Sequence, residues 1–214
     1  KKIKNFVVAH DASDNNFTKD YNKKKLSVGY CGHLYKGRGI NIIINLALNE
    51  KAVNFNILGG FKGDREFYLK KSLPKNIKFF PHRPYKNVKN FLAKNSILIA
   101  PYEKKLGGLG DIDTSKYMSP LKIFEYMSSN RPIICSNHKV LREILKPNYS
   151  ALMCDPDNLL EWKSSLNKLK NKKTRFILSK NSYAQFLKKY TWNKRVKLIF
   201  SWKCFNQLFK KKNL

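Results

Sequence analysis

Short apolar runs alternating with segments of helical spacing constrain this chain more than any other feature in it. Leu26–Cys31 (L-S-V-G-Y-C) reads as a strand ending at Gly32, and Gly39–Asn49 as a helix with Ile40, Ile43, Ile44 and Leu48 apolar. Val53–Leu58 is a second strand closed by Gly59 and Gly60, followed by a charged helix near Asp64–Ser72 and a short strand at Ile77–Phe80. The rhythm continues with a helix over Val88–Lys94, a strand over Ile97–Ala100 stopped by Pro101, then Leu121–Ser128, Ile133–Ser136, Val140–Leu145 and Ala151–Cys154 in alternation. Strands this short and continuously apolar, separated by helices, imply an α/β architecture: a Rossmann-like parallel sheet with helices on both faces. Ligands of such sheets bind beyond the carboxyl ends of the strands.

The ends of the chain read differently. Residues 1–25 contain F-V-V-A-H-D-A-S-D, a short strand leading into a polar, Lys-rich link, and the first residue is Lys1 rather than Met, so a segment is expected to be missing upstream. Residues 26–190 form the one large domain. From Asn158 onward the pattern is helical, with Leu159–Leu169, a helix around Arg175–Tyr190 and a third from Asn193 to about Lys211, giving a helical C-terminus and a basic final helix within 191–214. In that last helix Leu198, Trp202, Phe205 and Phe209 share one stripe among lysines, which suits packing onto the domain, a missing neighbour or an anionic membrane surface.

Composition narrows the function classes. The chain has 214 residues, 42% of them apolar, with 14 Phe and 11 Tyr, enough to fill a core. No apolar run approaches the length of a membrane span, and the Lys-rich start lacks the hydrophobic region of a signal peptide, so the expected location is cytoplasmic. Cys31, Cys135, Cys154 and Cys204 lie far apart with no C-x-x-C spacing, which indicates reduced thiols rather than a zinc site or a disulfide framework. The formal charge of +30 attracts polyanions. Nearly all of the excess is Lys spread along the whole chain, with few of the Arg forks that read phosphates and bases, so nucleic acid is not the expected partner. The charge fits a solvated lysine surface, with peripheral attachment at the inner face of a membrane, or to a lipid-linked substrate, as the alternative.

Ser119–Asn137, S-P-L-K-I-F-E-Y-M-S-S-N-R-P-I-I-C-S-N, carries the clearest chemistry. Read as a helix over 119–128, it opens on Ser119 and Pro120, a favoured capping pair, turns Leu121, Phe124 and Met127/Ser128 to the core, and sets Lys122 three residues before Glu125. Free N–H groups at such a helix start, with Lys122 beside them, can hold a phosphate, and the inward Glu125 carboxylate can accept from sugar hydroxyls. The plainer alternative is a capped amphipathic helix in which Glu125 pairs with Lys122. Gly32-His33-Leu34-Tyr35-Lys36-Gly37 after the first strand adds a small residue for close backbone approach, an imidazole and an ammonium at the same sheet edge, and Gly59-Gly60 closes the second strand there. The long loop Glu103–Lys116 contains G-G-L-G-D-I-D; Asp111 and Asp113 are a poor pair for a metal, and no metal is expected.

These residues, in the order V-G-Y-C-G-H-L-Y-K-G-R-G-I, N-I-L-G-G, F-L-A-K-N-S-I-L-I-A-P-Y, S-P-L-K-I-F-E-Y-M-S-S-N-R-P-I-I-C-S-N, L-R-E-I-L and Y-T-W, resemble the C-terminal, donor-binding half of a family 4 glycosyltransferase of the GT-B fold, over roughly 26–200. The resemblance implies a domain that binds a nucleotide-diphosphate sugar and takes part in retaining glycosyl transfer in cell-envelope or polysaccharide synthesis, with no metal or other cofactor. It also implies a partner, an acceptor-binding N-terminal half that is either missing or on a separate chain, the H-D-A-S-D-N-N-F segment resembling the entry to the linker between halves. By position, Lys36 resembles the lysine on the donor diphosphate and Glu125 the second Glu of an E-x7-E motif, which holds the ribose; these two are the implied catalytic pair. The implied donor-binding set is Gly32, His33, Gly59, Gly60, Arg83, Asp113, Ser119, Leu121 and Lys122. Two residues depart from the pattern: Tyr117 stands where the first Glu belongs, and His33 where an Arg is frequent. An incomplete donor-binding module, a nucleotide-sugar epimerase and a basic nucleic-acid or membrane-surface module remain the rival readings.

Overall fold

The structure is a computed structural model that describes residues 7–16, 26–107 and 113–201. Six strands, β1 (Ser27–Cys31), β2 (Asn54–Leu58), β3 (Ile77–Phe80), β4 (Ile97–Ala100), β5 (Ile133–Ser136) and β6 (Leu152–Cys154), form one parallel sheet in the order β3-β2-β1-β4-β5-β6. Helices α1 (Ile40–Asn49), α2 (Lys62–Leu69), α3 (Tyr85–Ala93), α4 (Leu121–Ser128) and the one-turn α5 (Lys139–Arg142) connect successive strands, and α6 (Leu159–Lys168), α7 (Lys172–Lys189) and α8 (Trp192–Phe200) complete the chain. The α/β reading holds, as does the helical C-terminus through Phe200; the residues of the proposed Trp202, Phe205 and Phe209 stripe lie outside the described residues.

Period-two alternation sends the side chains of β4, β5 and β6 to two cores, while β2 and β3 feed one of them. Val28 and Tyr30, Ile97 and Ile99, Ile134, Leu152 and Cys154 meet Ile40, Ile43 and Leu46 of α1 and Trp162 and Leu166 of α6 on one face. Leu98 and Ala100, Ile133 and Cys135 meet Phe124 and Met127 of α4 and Phe186 of α7 on the other. Because both faces are covered, the central strand β4 (I-L-I-A) is wholly apolar and its neighbour β5 nearly so, which is why they stood out in the sequence.

Three local expectations change. Residues 7–10 form no strand; the first segment touches the domain instead through Ser13, whose N–H donates to Tyr190 O at 3.1 Å. Ser119 does not cap α4: the helix begins at Leu121 behind Pro120, whose side chain cannot accept a hydrogen bond. Leu121 is exposed, and the buried residues of α4 are Ile123, Phe124, Tyr126, Met127 and Ser128.

β1 and β4 belong to different halves of the chain, and their ladder is short, with Val28 opposite Ile97 and Gly29 opposite Leu98, against five register pairs between β1 and β2. Buried polar groups reinforce the lower end of this seam. Asn95 crosses beneath Gly29, where a Cβ would come within 2.6 Å of its side chain, and accepts from Asn56 Nδ2 at 2.8 Å. Arg131, 1% exposed, donates to Asn95 O, Ala93 O and Asn130 O, the carbonyl ends of α3 and α4, where a cation is favoured by both helix dipoles. Arg131→Met orphans these carbonyls in a dry site and should cost about 3–5 kcal/mol. A urea midpoint within error of the parent, at unchanged denaturant dependence, would remove Arg131 from the seam.

Candidate functional site

The chain leaves β1 toward one side of the sheet and β4 toward the other, which opens a crevice above their carboxyl ends at the point where the strand order reverses. Its floor is built from close approaches that exclude side chains. Gly39, at φ 69°, lies so near Pro101 that a Cβ would sit 1.5 Å from the Pro101 carbonyl oxygen. Gly32, at φ 150°, lies under the Lys122 ammonium, which a Cβ there would meet at 2.6 Å.

Lys122 is the central cation. Its Nζ donates to Tyr30 Oη at 3.0 Å and lies 4.2 Å from the Tyr30 ring centroid and 5.1 Å from that of Tyr102. Enclosure first, and the nearby Arg38 guanidinium second, lower its pKa to about 7 against the opposing pull of Cys31 and Glu125. Arg38 stacks on Tyr35 and Tyr102, with its guanidinium carbon 4.7 Å and 5.8 Å from the two centroids, and donates to Tyr35 Oη. Among the described residues Arg38 Nε and Tyr102 Oη are buried without a hydrogen-bond partner. Two cations side by side and an unpartnered phenol form a cluster suited to an anion, because a negative oxygen relieves both the repulsion and the unmet hydrogen bonds.

Glu125 stands one turn along α4, half-buried, its pKa raised by burial against the opposing charge of Lys122. No ion pair joins it to Lys122 among the described residues, since the lysine turns to Tyr30 instead. Next to it Tyr126 pins α4 onto the strand ends: its hydroxyl accepts from Cys31 N at 2.8 Å and lies 3.4 Å from Cys31 O and from Ile99 O. Burial and the Glu125 charge push the Cys31 thiol up to about 12, so it stays protonated and unreactive.

Adjacent to this cluster, over β2 and β3, is a cavity of about 410 Å³ lined by Cys31, Gly32, His33, Gly59, Gly60, Phe61, Arg65, His82 and Arg83 among others. The sequence-derived donor residues Gly32, His33, Gly59, Gly60 and Arg83 thus come together. The His33 ring lies 6.0 Å from that of Phe61, and desolvation, Arg38 and Lys122 lower its pKa, which favours the neutral form. Ser119 and Leu121 lie exposed at the start of α4. Asp113 sits in the loop after β4, accepting from Leu106 N at 3.0 Å and Ser115 N at 2.9 Å, which hold its carboxylate down at about 2. These bonds brace the loop; Asp111 lies outside the described residues, and among those residues no cluster of three metal-ligating side chains occurs.

Lys36 lies apart from both the cation cluster and this cavity. It is exposed and lines a second cavity with Leu34, Tyr35, Asn41, Phe67 and Tyr68. The cation that turns toward Lys122 is Arg38, two residues later and directly before Gly39. Reasoning from sequence missed Arg38 and the three tyrosines Tyr30, Tyr102 and Tyr126. The signal for Arg38 was present in K-G-R-G, where the residue adjoining the helix start is the better candidate.

The same architecture recurs in known proteins. Residues 11–185 match the family model of the glycosyl transferases group 1. The chain is 25% identical over 181 residues to an uncharacterized glycosyltransferase of Methanocaldococcus jannaschii, covering 82% of this chain and 47% of that protein. Among solved structures it resembles the sucrose-phosphate synthase of Thermosynechococcus elongatus at a TM-score of 0.72 and 15% identity, over 88% of this chain and 46% of that one. It also resembles the C-terminal domain of a glycosyl transferase group 1 family protein of Francisella tularensis, at a TM-score of 0.63 and 18% identity, covering 86% of this chain and 97% of that one. Anabaena HepE in complex with UDP-glucose aligns at a TM-score of 0.64 and 14% identity, over 89% of this chain and 49% of that one. The chain thus spans about half the length of most of these relatives, with the architecture of the C-terminal half of a GT-B fold. With the family model covering most of its length, the chain belongs to the glycosyl transferases group 1.

Proposed function

We propose that this chain is the donor-binding half of a retaining glycosyltransferase and that its crevice holds a nucleotide-diphosphate sugar. The observation that carries this reading is the pocket of Arg38, Lys122 and the unpartnered Tyr102 hydroxyl above the β1 and β4 ends. A diphosphate seated there meets two cations and the N–H groups at the start of α4, Leu121 and Lys122, Pro120 having none to give. The half-buried carboxylate of Glu125 accepts from the ribose hydroxyls, and the base enters the cavity between Phe61 and Arg83.

When the bond from the anomeric carbon to the diphosphate oxygen breaks, its electron pair leaves with the diphosphate. Negative charge therefore grows where Arg38 and Lys122 stand, and they stabilise the transition state more than the bound ground state. In this reading that cationic pair does what a metal does elsewhere, and no further cofactor is required. The acceptor wall belongs to an N-terminal half, so the chain alone binds donor but transfers little sugar. Such an enzyme works from the cytoplasm on cell-envelope or polysaccharide precursors. Complexes of HepE with UDP and with UDP-glucose support the class of donor.

Uridine, guanosine and adenosine diphosphates and their sugar conjugates, each at about a hundred times Kd, should distinguish the donor. The matching one should stabilise the fold by about 2.7 kcal/mol, or about 5–10 °C in melting temperature. A well-folded sample that no nucleotide stabilises would refute the reading.

A further inference from the structure

Tyr30, next to last in β1 and 1% exposed, differs from the unpartnered Tyr102 in that its hydroxyl is already taken up on both sides by the protein. That hydroxyl joins two parts of the crevice. The proton is given to His33 O at 2.6 Å, inside the loop after β1, and a lone pair accepts from Lys122 Nζ at 3.0 Å, on the helix after β4. The direction of both bonds is set, because a carbonyl only accepts and an ammonium only donates. Without this bond only the ring faces of Tyr30 and Tyr102 hold the ammonium: Glu125 makes no ion pair with it among the described residues, and Arg38 repels it.

We propose that Tyr30 is a positioning residue for the anion pocket: it holds the Lys122 ammonium over Gly32, aimed at the bound diphosphate, by bonding it to the backbone of His33. The inference rests on the donor-site reading above. Tyr30 acts only through Lys122 and the loop, and never touches the ligand.

The groups facing Lys122 are Tyr30 and Cys31 from β1, Arg38 from the loop before α1, Tyr102 after β4 and Glu125 from α4. Of these it is Tyr30 whose hydroxyl is hydrogen-bonded to the lysine, a neutral acceptor that favours the charged form over the free amine. Burial brings the ammonium to about 7, so losing that acceptor moves its titration to lower pH.

Tyr30→Phe keeps the ring and removes the bond. Uridine diphosphate and inorganic pyrophosphate are titrated calorimetrically into the parent chain, Tyr30→Phe, Lys122→Met and the double variant, at about pH 6 and about pH 8.5. The Lys122 Cε resonance is followed by carbon NMR against pH with no ligand present. Affinity should fall about tenfold in Tyr30→Phe, more at the higher pH, and Tyr30→Phe should have no further effect once Lys122 is Met. The lysine midpoint should move to lower pH. Equal loss with and without Lys122, or an unmoved midpoint, would overturn the positioning role. A parent chain that binds neither probe would instead refute the donor site, while the ligand-free titration still decides what Tyr30 does to Lys122.

Discussion

Gly39→Ala is expected to abolish stable folding. Gly39 holds φ 69° immediately before α1, and the added methyl would sit 1.5 Å from the Pro101 carbonyl oxygen, an overlap with backbone that no rotamer can relieve. Separating the loops after β1 and β4 would pull apart the two strands that share only two register pairs. The cost should exceed about 4 kcal/mol, a large part of the roughly 5–15 kcal/mol that domains possess. Gly63→Ala is the control: its Cβ meets nothing within 4 Å in α2, and the change should add about 0.4–1 kcal/mol. Urea unfolding followed by circular dichroism separates the two. A Gly39→Ala midpoint close to the parent's would mean that the two loops do not touch in solution.

Lys122→Met should have the largest effect on ligand binding, about a hundredfold loss of affinity for the nucleotide diphosphate, or about 2.7 kcal/mol. The same change should stabilise the empty protein, because a thioether needs no hydration in the place where the ammonium is enclosed. The pH dependence comes from the lowered pKa. In the unfolded chain the lysine stays protonated up to about pH 10.4, whereas in the folded chain it releases its proton through about 7. Between those values the unfolded state binds more protons, so the parent gains stability as pH rises across that window and is most penalised below it. The stability advantage of Lys122→Met should therefore be widest in mild acid and close toward pH 10. Bound diphosphate restores the charge, so at about pH 8.5 binding should take up close to one proton per ligand in the parent and none through this group in the variant. Calorimetry in buffers of different ionisation enthalpy measures that uptake. Equal uptake by both proteins would show that Lys122 does not meet the anion.

Much of the fold was legible because a two-sided parallel sheet leaves a strong trace. Ile77–Phe80, Ile97–Ala100 and Ile133–Ser136 have the bounds read from sequence, each a short run stopped by a polar residue or a proline. The helix over Leu121–Ser128 was also legible, but its rotation was not. Leu121 was assigned to the core by spacing, whereas at the end of a strand the first turn of a helix borders a ligand space, and there Lys122 is enclosed while Leu121 faces solvent. The cations show the same limit. Lys36 and Arg38 are two residues apart in one motif, and only the left-handed turns at Gly37 and Gly39, with φ 89° and 69°, decide that Arg38 faces Tyr102 and Lys36 a different cavity. The tyrosines were invisible as a set because they come from β1, the loop after β4 and α4, and meet only when the sheet is assembled.

The narrow seam between β1 and β4 has a consequence for how damage to this protein would present itself. The strands β1 to β3 bring Tyr30, Gly32 and Arg38, while β4 and the elements C-terminal to it bring Tyr102, Lys122 and Glu125, so neither half of the chain carries a usable pocket. Recognition is then a report on how the two halves meet across one shared core, and a lesion at Asn95 or Arg131, below the opposite ends of β1 and β4, would weaken the pocket without touching any group that lines it. A loss-of-function substitution mapped on this chain should accordingly be weighed by its distance from the seam as much as by its distance from the ligand.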